Sequence, residues 1–94
     1  MGNAAKVGDQ GLDHDGFPPT AITAGSGTVK ADGAAIARLG DPLEQHSKPK
    51  HPPHGRAIAG GSGSVFADGK PVARSGDPVG CGGALTGGGT VNVG

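Results

Sequence analysis

The 94-residue chain has no tryptophan, no tyrosine, and only two aromatic residues, Phe17 and Phe66. Eight basic residues balance eight acidic ones, so no basic face is on offer. Nucleic-acid binding asks for positive charge and usually stacking rings, and both are missing. There is no apolar run of about 18 residues, which excludes a helical membrane span. The stretch Met1–Asp9 lacks the apolar segment of a secretory signal, so a cleavable leader is not expected. Cys81 is the only cysteine, which excludes a disulfide within the chain. Large apolar side chains are scarce, while 21 glycines and 8 prolines take up nearly a third of the residues. A scaffold this small with so thin a core generally needs a staple, such as a metal, disulfides or a partner, and a metal is the obvious substitute for the missing disulfides.

What the chain does contain is a repeat. Val65-Phe66-Ala67-Asp68-Gly69-Lys70-Pro71-Val72-Ala73-Arg74-Ser75-Gly76-Asp77-Pro78 reads as a β-hairpin. Asp68-Gly69 is its turn, because Gly takes positive φ freely and Asp tolerates it. Gly76-Asp77-Pro78 ends the outgoing strand, since Pro has no ladder donor and restrains the residue before it. Thirty-six residues earlier the same pattern runs from Val29 to Pro42, with Asp32-Gly33 at the turn and Arg38 and Asp41-Pro42 in matching places. Gly25-Ser26-Gly27 and Gly61-Ser62-Gly63 precede the two hairpins alike. The register of the repeat argues against the disorder that the composition alone would suggest.

A third copy is divided between the ends. Gly87–Gly94 matches the first half of a hairpin, and Ala4-Ala5-Lys6-Val7-Gly8-Asp9 matches the second. Pairing of the two termini would close three hairpin units around an axis and remove two sheet edges. The expected fold is therefore all-β: one domain, residues 1–94, with three hairpin repeats around a pseudo-threefold axis forming a small pointed cone, and no extension domain. Strands of about three to five residues are expected. Residues 10–21 and 39–56 read as loops, with at most a short turn at Leu43-Glu44-Gln45, because Pro49, Pro52 and Pro53 stop any helix. Ile22 and Ile58 are expected in the core, with Leu12, Phe17 and Phe66. Arg38 and Arg74 are expected to brace the strand ends through hydrogen bonds to loop carbonyls or to Asp41 and Asp77.

Each Gly-Asp leads into a loop that carries metal-binding residue types. His14 follows Asp9, His46, His51 and His54 follow Asp41, and Cys81 follows Asp77. Three loops meeting at one end of the axis would bring imidazoles and a thiolate together, which describes a zinc site. Four ligands, three His and one Cys, leave no open position, so the ion would be structural. His14 and Cys81 are the firmest candidates, and two of His46, His51 and His54 would join them. His51-Pro52-Pro53-His54 reads as extended, with its imidazoles about 9 Å apart in polyproline II.

The hairpin signatures Ala35-Ile36-Ala37-Arg38 and Pro71-Val72-Ala73-Arg74 resemble the Pro-Ala-Ala-Arg signature of PAAR-repeat proteins, the spike-tip proteins of bacterial type VI secretion systems. The Gly-Ser-Gly before, the Asp-Gly within and the Gly-Asp-Pro after each hairpin fit the same family. Neither copy is a literal Pro-Ala-Ala-Arg, and the split copy has Lys6 at the arginine position. The resemblance implies a zinc-pinned cone that caps and sharpens the trimeric VgrG spike, one chain per trimer, and so aids membrane piercing and effector delivery. It implies effectors held noncovalently, transient contact with a target membrane, and residence in the bacterial cytoplasm until the spike is fired.

Three other functions compete with this one. A small zinc hydrolase needs an open coordination position and a base, for which Glu44, Asp13 and Asp15 are the candidates. A thiolate ligand fills the position such an enzyme leaves to water, so the protein is not read as an enzyme. A stand-alone metal-binding module keeps the ion without the spike. A Gly-rich surface binder would need regular threonine rows, and Thr20, Thr23, Thr28, Thr86 and Thr90 do not recur through the full hairpins.

Overall fold

Closely spaced turns keep the strands short, and the structure answers with rings of pairing rather than one broad sheet. It is a computed structural model, and it describes residues 2–12, 19–46, 54–80, 82–87 and 89–93. No helix occurs among the described residues. The strands are β1 (Gly2–Asn3), β2 (Gln10–Gly11), β3 (Thr20–Ala21), β4 (Lys30–Ala31), β5 (Ala34–Ala35), β6 (Pro42–His46), β7 (His54–Ala57), β8 (Phe66–Ala67), β9 (Lys70–Pro71) and β10 (Asn92–Val93). They form five antiparallel pairs: β1–β10, β2–β3, β4–β5, β6–β7 and β8–β9.

The expected hairpins are β4–β5 and β8–β9, turned at Asp32-Gly33 and Asp68-Gly69. All four turn residues have positive φ: 50° and 81° in the first turn, 53° and 79° in the second. Two left-handed residues give the turn whose twist matches the flanking strands. The third hairpin is β1–β10, with Gly2 opposite Val93 and Asn3 opposite Asn92. The Ala4 N–H donates to Val91 O at 2.7 Å, so the two ends of the chain complete one unit.

The units close around an axis through a cyclic set of backbone hydrogen bonds. Ala5 N–H donates to Ala73 O, Ala73 N–H to Ala37 O and Ala37 N–H to Ala5 O, each at 2.9 Å. A second ring lies beside it: Val7 to Ala35, Leu39 to Pro71 and Ser75 to Asn3, at 2.8–2.9 Å. Within each ring every unit donates to one neighbour and accepts from the other, and the two rings run in opposite senses. Alanine is required where three strands crowd the axis, and Ala5, Ala37 and Ala73 are 0 % exposed.

The core is stacked in threes. Toward one end lie Ala4, Ile36 and Val72, then Val93, Ala31 and Ala67. Toward the other lie Ile22, Ile58 and Leu85, then Leu43 and Val79. The third place in that last layer belongs to Gly11, where an added Cβ would come within 2.6 Å of Leu43 Cδ2. The layers are small, so each contributes modestly, with about 1.5–3 kcal/mol for a fully buried Ile or Leu.

The fold differs from expectation in three respects. Most strands have two residues rather than three to five. The long loop holds the β6–β7 hairpin and residues 10–21 hold β2–β3, so Leu43-Glu44-Gln45 is strand, not turn. Phe66 is 57 % and Leu12 44 % exposed, so neither belongs to the core that Ile22 and Ile58 join. Phe66 lies at the repeat position of Lys30 and Asn92, which point outward. Phe17 lies outside the described residues.

Candidate functional site

The end of the axis beyond Leu43 and Val79 is where the three loops begin and return. Each loop is launched by the same device. Lys6-Val7-Gly8-Asp9, Arg38-Leu39-Gly40-Asp41 and Arg74-Ser75-Gly76-Asp77 are turns closed by the Asp N–H donating back to the Lys or Arg carbonyl at 3.0 Å. The glycines take φ of 99°, 90° and 91°, which a side chain would resist. Each Asp carboxylate then accepts from the backbone N–H three residues back, at 2.7–3.0 Å. It also pairs with that residue's cation: Lys6 to Asp9 at 3.0 Å, Arg38 to Asp41 at 2.9 Å and Arg74 to Asp77 at 2.9 Å. The hydrogen bonds to Asp41 and to Asp77, foremost among the causes, raise the affinity of Arg38 and Arg74 for their protons. These are the braces the sequence led us to expect, and Lys6 completes the set.

The returning segments converge on one cation that the repeat did not advertise. Arg56, in β7, is 4 % exposed. Its Nη1 donates to Gly11 O and Thr20 Oγ1 at 3.0 Å each. Its Nη2 donates to Leu12 O at 2.7 Å and Gly82 O at 3.2 Å. A planar fork with several donors suits three chain segments that a point charge could not serve at once. Gly83 sits against the same group: a Cβ there would run into Leu12 O and lie 3.1 Å from Arg56 Nη2, at a φ of 84°. The repeat equivalents of Arg56 are Thr20 and Gly83, so symmetry in the sequence could not single it out.

The candidate metal ligands stand in relation to this hub as follows. His46 ends β6 and His54 begins β7, and the two are backbone partners across the hairpin, beyond a register shift that follows Leu43. His14, His51 and Cys81 lie outside the described residues, as do Asp13 and Asp15. Among the described residues no cluster of three or more His, Cys, Asp or Glu could hold a metal. The described flanks of those loops do come together. Leu12 is two residues from His14, Gly82 adjoins Cys81, and Arg56 is two residues past His54, all joined through one guanidinium. Glu44, the base a hydrolase would require, is exposed on β6.

At the opposite end the two Asp-Gly turns each hook onto a neighbouring unit. Asp68 accepts from Ser26 Oγ at 2.5 Å, Thr28 Oγ1 at 2.6 Å and Arg38 Nη1 at 3.1 Å. Asp32 accepts from Thr90 N at 2.7 Å and Thr90 Oγ1 at 2.6 Å. The Ser26 and then the Thr28 hydrogen bond hold the Asp68 carboxyl below the usual carboxylate range, and the Thr90 hydroxyl and then its N–H do the same for Asp32.

Compared with known proteins, the chain matches the family model described as PAAR motif over residues 12–87. No curated protein matches it.

Proposed function

From the premise that the chain belongs to the PAAR-motif family, whose members serve as structural spike-tip components of type VI secretion, we propose that it caps the trimeric VgrG spike, one chain per trimer, with a single structural zinc ion near its vertex. The observation that carries this reading is the cyclic ring of Ala5, Ala37 and Ala73. A single chain that repeats its backbone three times around an axis offers each subunit of a threefold partner one unit of its own.

The zinc part rests on donor chemistry and on Arg56. Imidazole and thiolate donors suit zinc, and a guanidinium ties down the stems of the loops that carry them. His14 and Cys81, with two of His46, His51 and His54, would hold the ion. It would supply cross-linking between loops that have few apolar residues of their own. With four protein ligands it would activate no water, and the role is piercing and delivery rather than catalysis. Effectors would ride noncovalently on the tip or on the spike, and the protein would wait in the bacterial cytoplasm until firing carries it to a target membrane.

Mixing with purified VgrG trimer, followed by light scattering or native mass spectrometry, tests the capping. One chain per trimer is expected. A chain that stays monomeric at micromolar concentrations of both proteins would overturn it.

A further inference from the structure

The three hairpins agree in register but not in connectivity. β4–β5 and β8–β9 are each closed by a two-residue turn. β1 and β10 pair in the same manner, yet they are joined to each other only through residues 4–91. Gly87 and residues 89–93 are held to the body by backbone pairing and by three hydrogen bonds that involve the Asn3, Asp32 and Thr90 side chains. Among the described residues these bonds are the β1–β10 pairing, Ala4 N–H to Val91 O, Asn3 Nδ2 to Gly87 O, and the two hydrogen bonds from Thr90 to Asp32. Among residues 89–93 only Val93 is buried, with Ala4, Ala31, Ile36, Ala67 and Val72. The attachment has a sharp upstream limit. Leu85 is core, and Thr86 is pinned to Gln10 by its N–H at 2.8 Å and its hydroxyl at 3.0 Å. Three consecutive glycines, 87 to 89, follow.

We propose that segment 89–93 is an exchangeable strand, and that two copies of this chain trade it to form a swapped dimer. The receiving slot consists of the β1 backbone, the Asp32 carboxylate and the Ala4–Ile36–Val72 layer, and none of these belongs to the segment that fills it. A second copy's segment makes every contact that the chain's own segment makes. Those contacts therefore cancel between monomer and dimer, and the balance is set by the effective concentration of the tethered strand, in the millimolar range for a short flexible link. Exchange of an identical element is a low-cost route to a dimer. The glycine run is the place for the crossing, because glycine adopts alternative backbone paths at the least steric cost.

The test uses two full-length, zinc-loaded variants, one carrying Asn3→Cys and the other Asn92→Cys. These positions face each other across β1–β10. They alternate with the hydrogen-bonded Ala4–Val91 pair, so they occupy the closely spaced kind of site. Neither chain can form the 3–92 disulfide by itself. After co-incubation at millimolar concentration and mild oxidation, a covalent heterodimer is expected, with peptide mapping placing the bond between positions 3 and 92. The same mixture held at micromolar concentration is expected to give little of it. Adding Asp32→Ala to the Asn3→Cys chain should speed the appearance of the heterodimer without changing its final amount, because that clasp is present in both states. Absence of the 3–92 bond at millimolar concentration, with both chains folded by circular dichroism, would overturn the proposal. So would a dimer linked only through Cys81.

Discussion

Replacing Arg56 should damage this fold more than any other change to a charged residue described above. The side chain is nearly inaccessible and donates to Gly11 O, Leu12 O, Gly82 O and Thr20 Oγ1. Arg56→Met keeps the length and apolar stem and removes every donor. The bonds to Gly11 O at 3.0 Å and Leu12 O at 2.7 Å carry most of the loss, since Gly11 is buried and the Leu12 bond is the shortest. A hydrogen bond to a charged group contributes about 1.5–3 kcal/mol, so losing two costs about 3–6 kcal/mol. Small domains have about 5–15 kcal/mol in all. For this size each kcal/mol corresponds to about 4–8 °C in Tm, so a fall of at least about 12 °C is expected. The chain has no tryptophan or tyrosine, so calorimetry or far-ultraviolet circular dichroism is the assay rather than intrinsic fluorescence. Measurement with and without excess chelator separates the guanidinium from the metal. Arg56→Lys should fall between, because one ammonium cannot reach all three segments. A drop below about 4 °C for Arg56→Met in chelator, corresponding to under 1 kcal/mol, would refute the role of this residue as the hub.

Other expectations follow from the axis, the hooks and the metal. Ala37→Val forces two methyl groups into the fully buried ring and should cost about 1–3 kcal/mol by denaturant titration, while Val29→Ala on the outside should change stability little. Asp32 and Asp68 have carboxyls depressed in the folded state. Their contribution is complete above the unfolded value of about 3.9 and is lost as pH falls through the lower folded values. In chelator, the wild type should therefore lose stability steeply below about pH 4, and the double variant Asp32→Ala/Asp68→Ala should show a shallower fall; equal slopes would refute the assignment. Metal analysis should find one zinc per chain, and Cys81→Ser should lose it together with much of the thermal stability, because forming the site and folding are coupled. Full zinc retention by Cys81→Ser would remove Cys81 from the ligand set.

What was legible in the sequence is what recurs. The Asp-Gly turns, the Arg–Asp braces and the joining of the two ends could be read because position by position the repeats agree, and register in a hairpin follows from its turn. What occurs once was hidden. Arg56 has Thr20 and Gly83 at its equivalent places, so no pattern marks it. The β6–β7 hairpin was hidden because Pro-Leu-Glu-Gln-His has neither β-branched residues nor clean alternation. Phe66 reads as core from its apolarity, yet it shares its register with Lys30 and Asn92, on the outward face. The metal ligands rest on residue type and loop equivalence. Their loops' described flanks meet at Arg56, which is a fact about backbone that the spacing of the histidines does not contain.

The alanine ring has a mechanical consequence. Its hydrogen bonds run around the circumference, and the three methyl-bearing strands fill the centre, so the axis is a solid rod rather than a duct. Thrust applied along that rod tends to splay the units outward, and the splaying is opposed in tension by successive hoops of main-chain bonds. No side chain has to slide for the hoops to take up the strain, and a close-packed interior of this kind has little volume to give. Stiffness against a head-on push is thereby written into the backbone itself, and it tolerates wide variation in the residues that face outward.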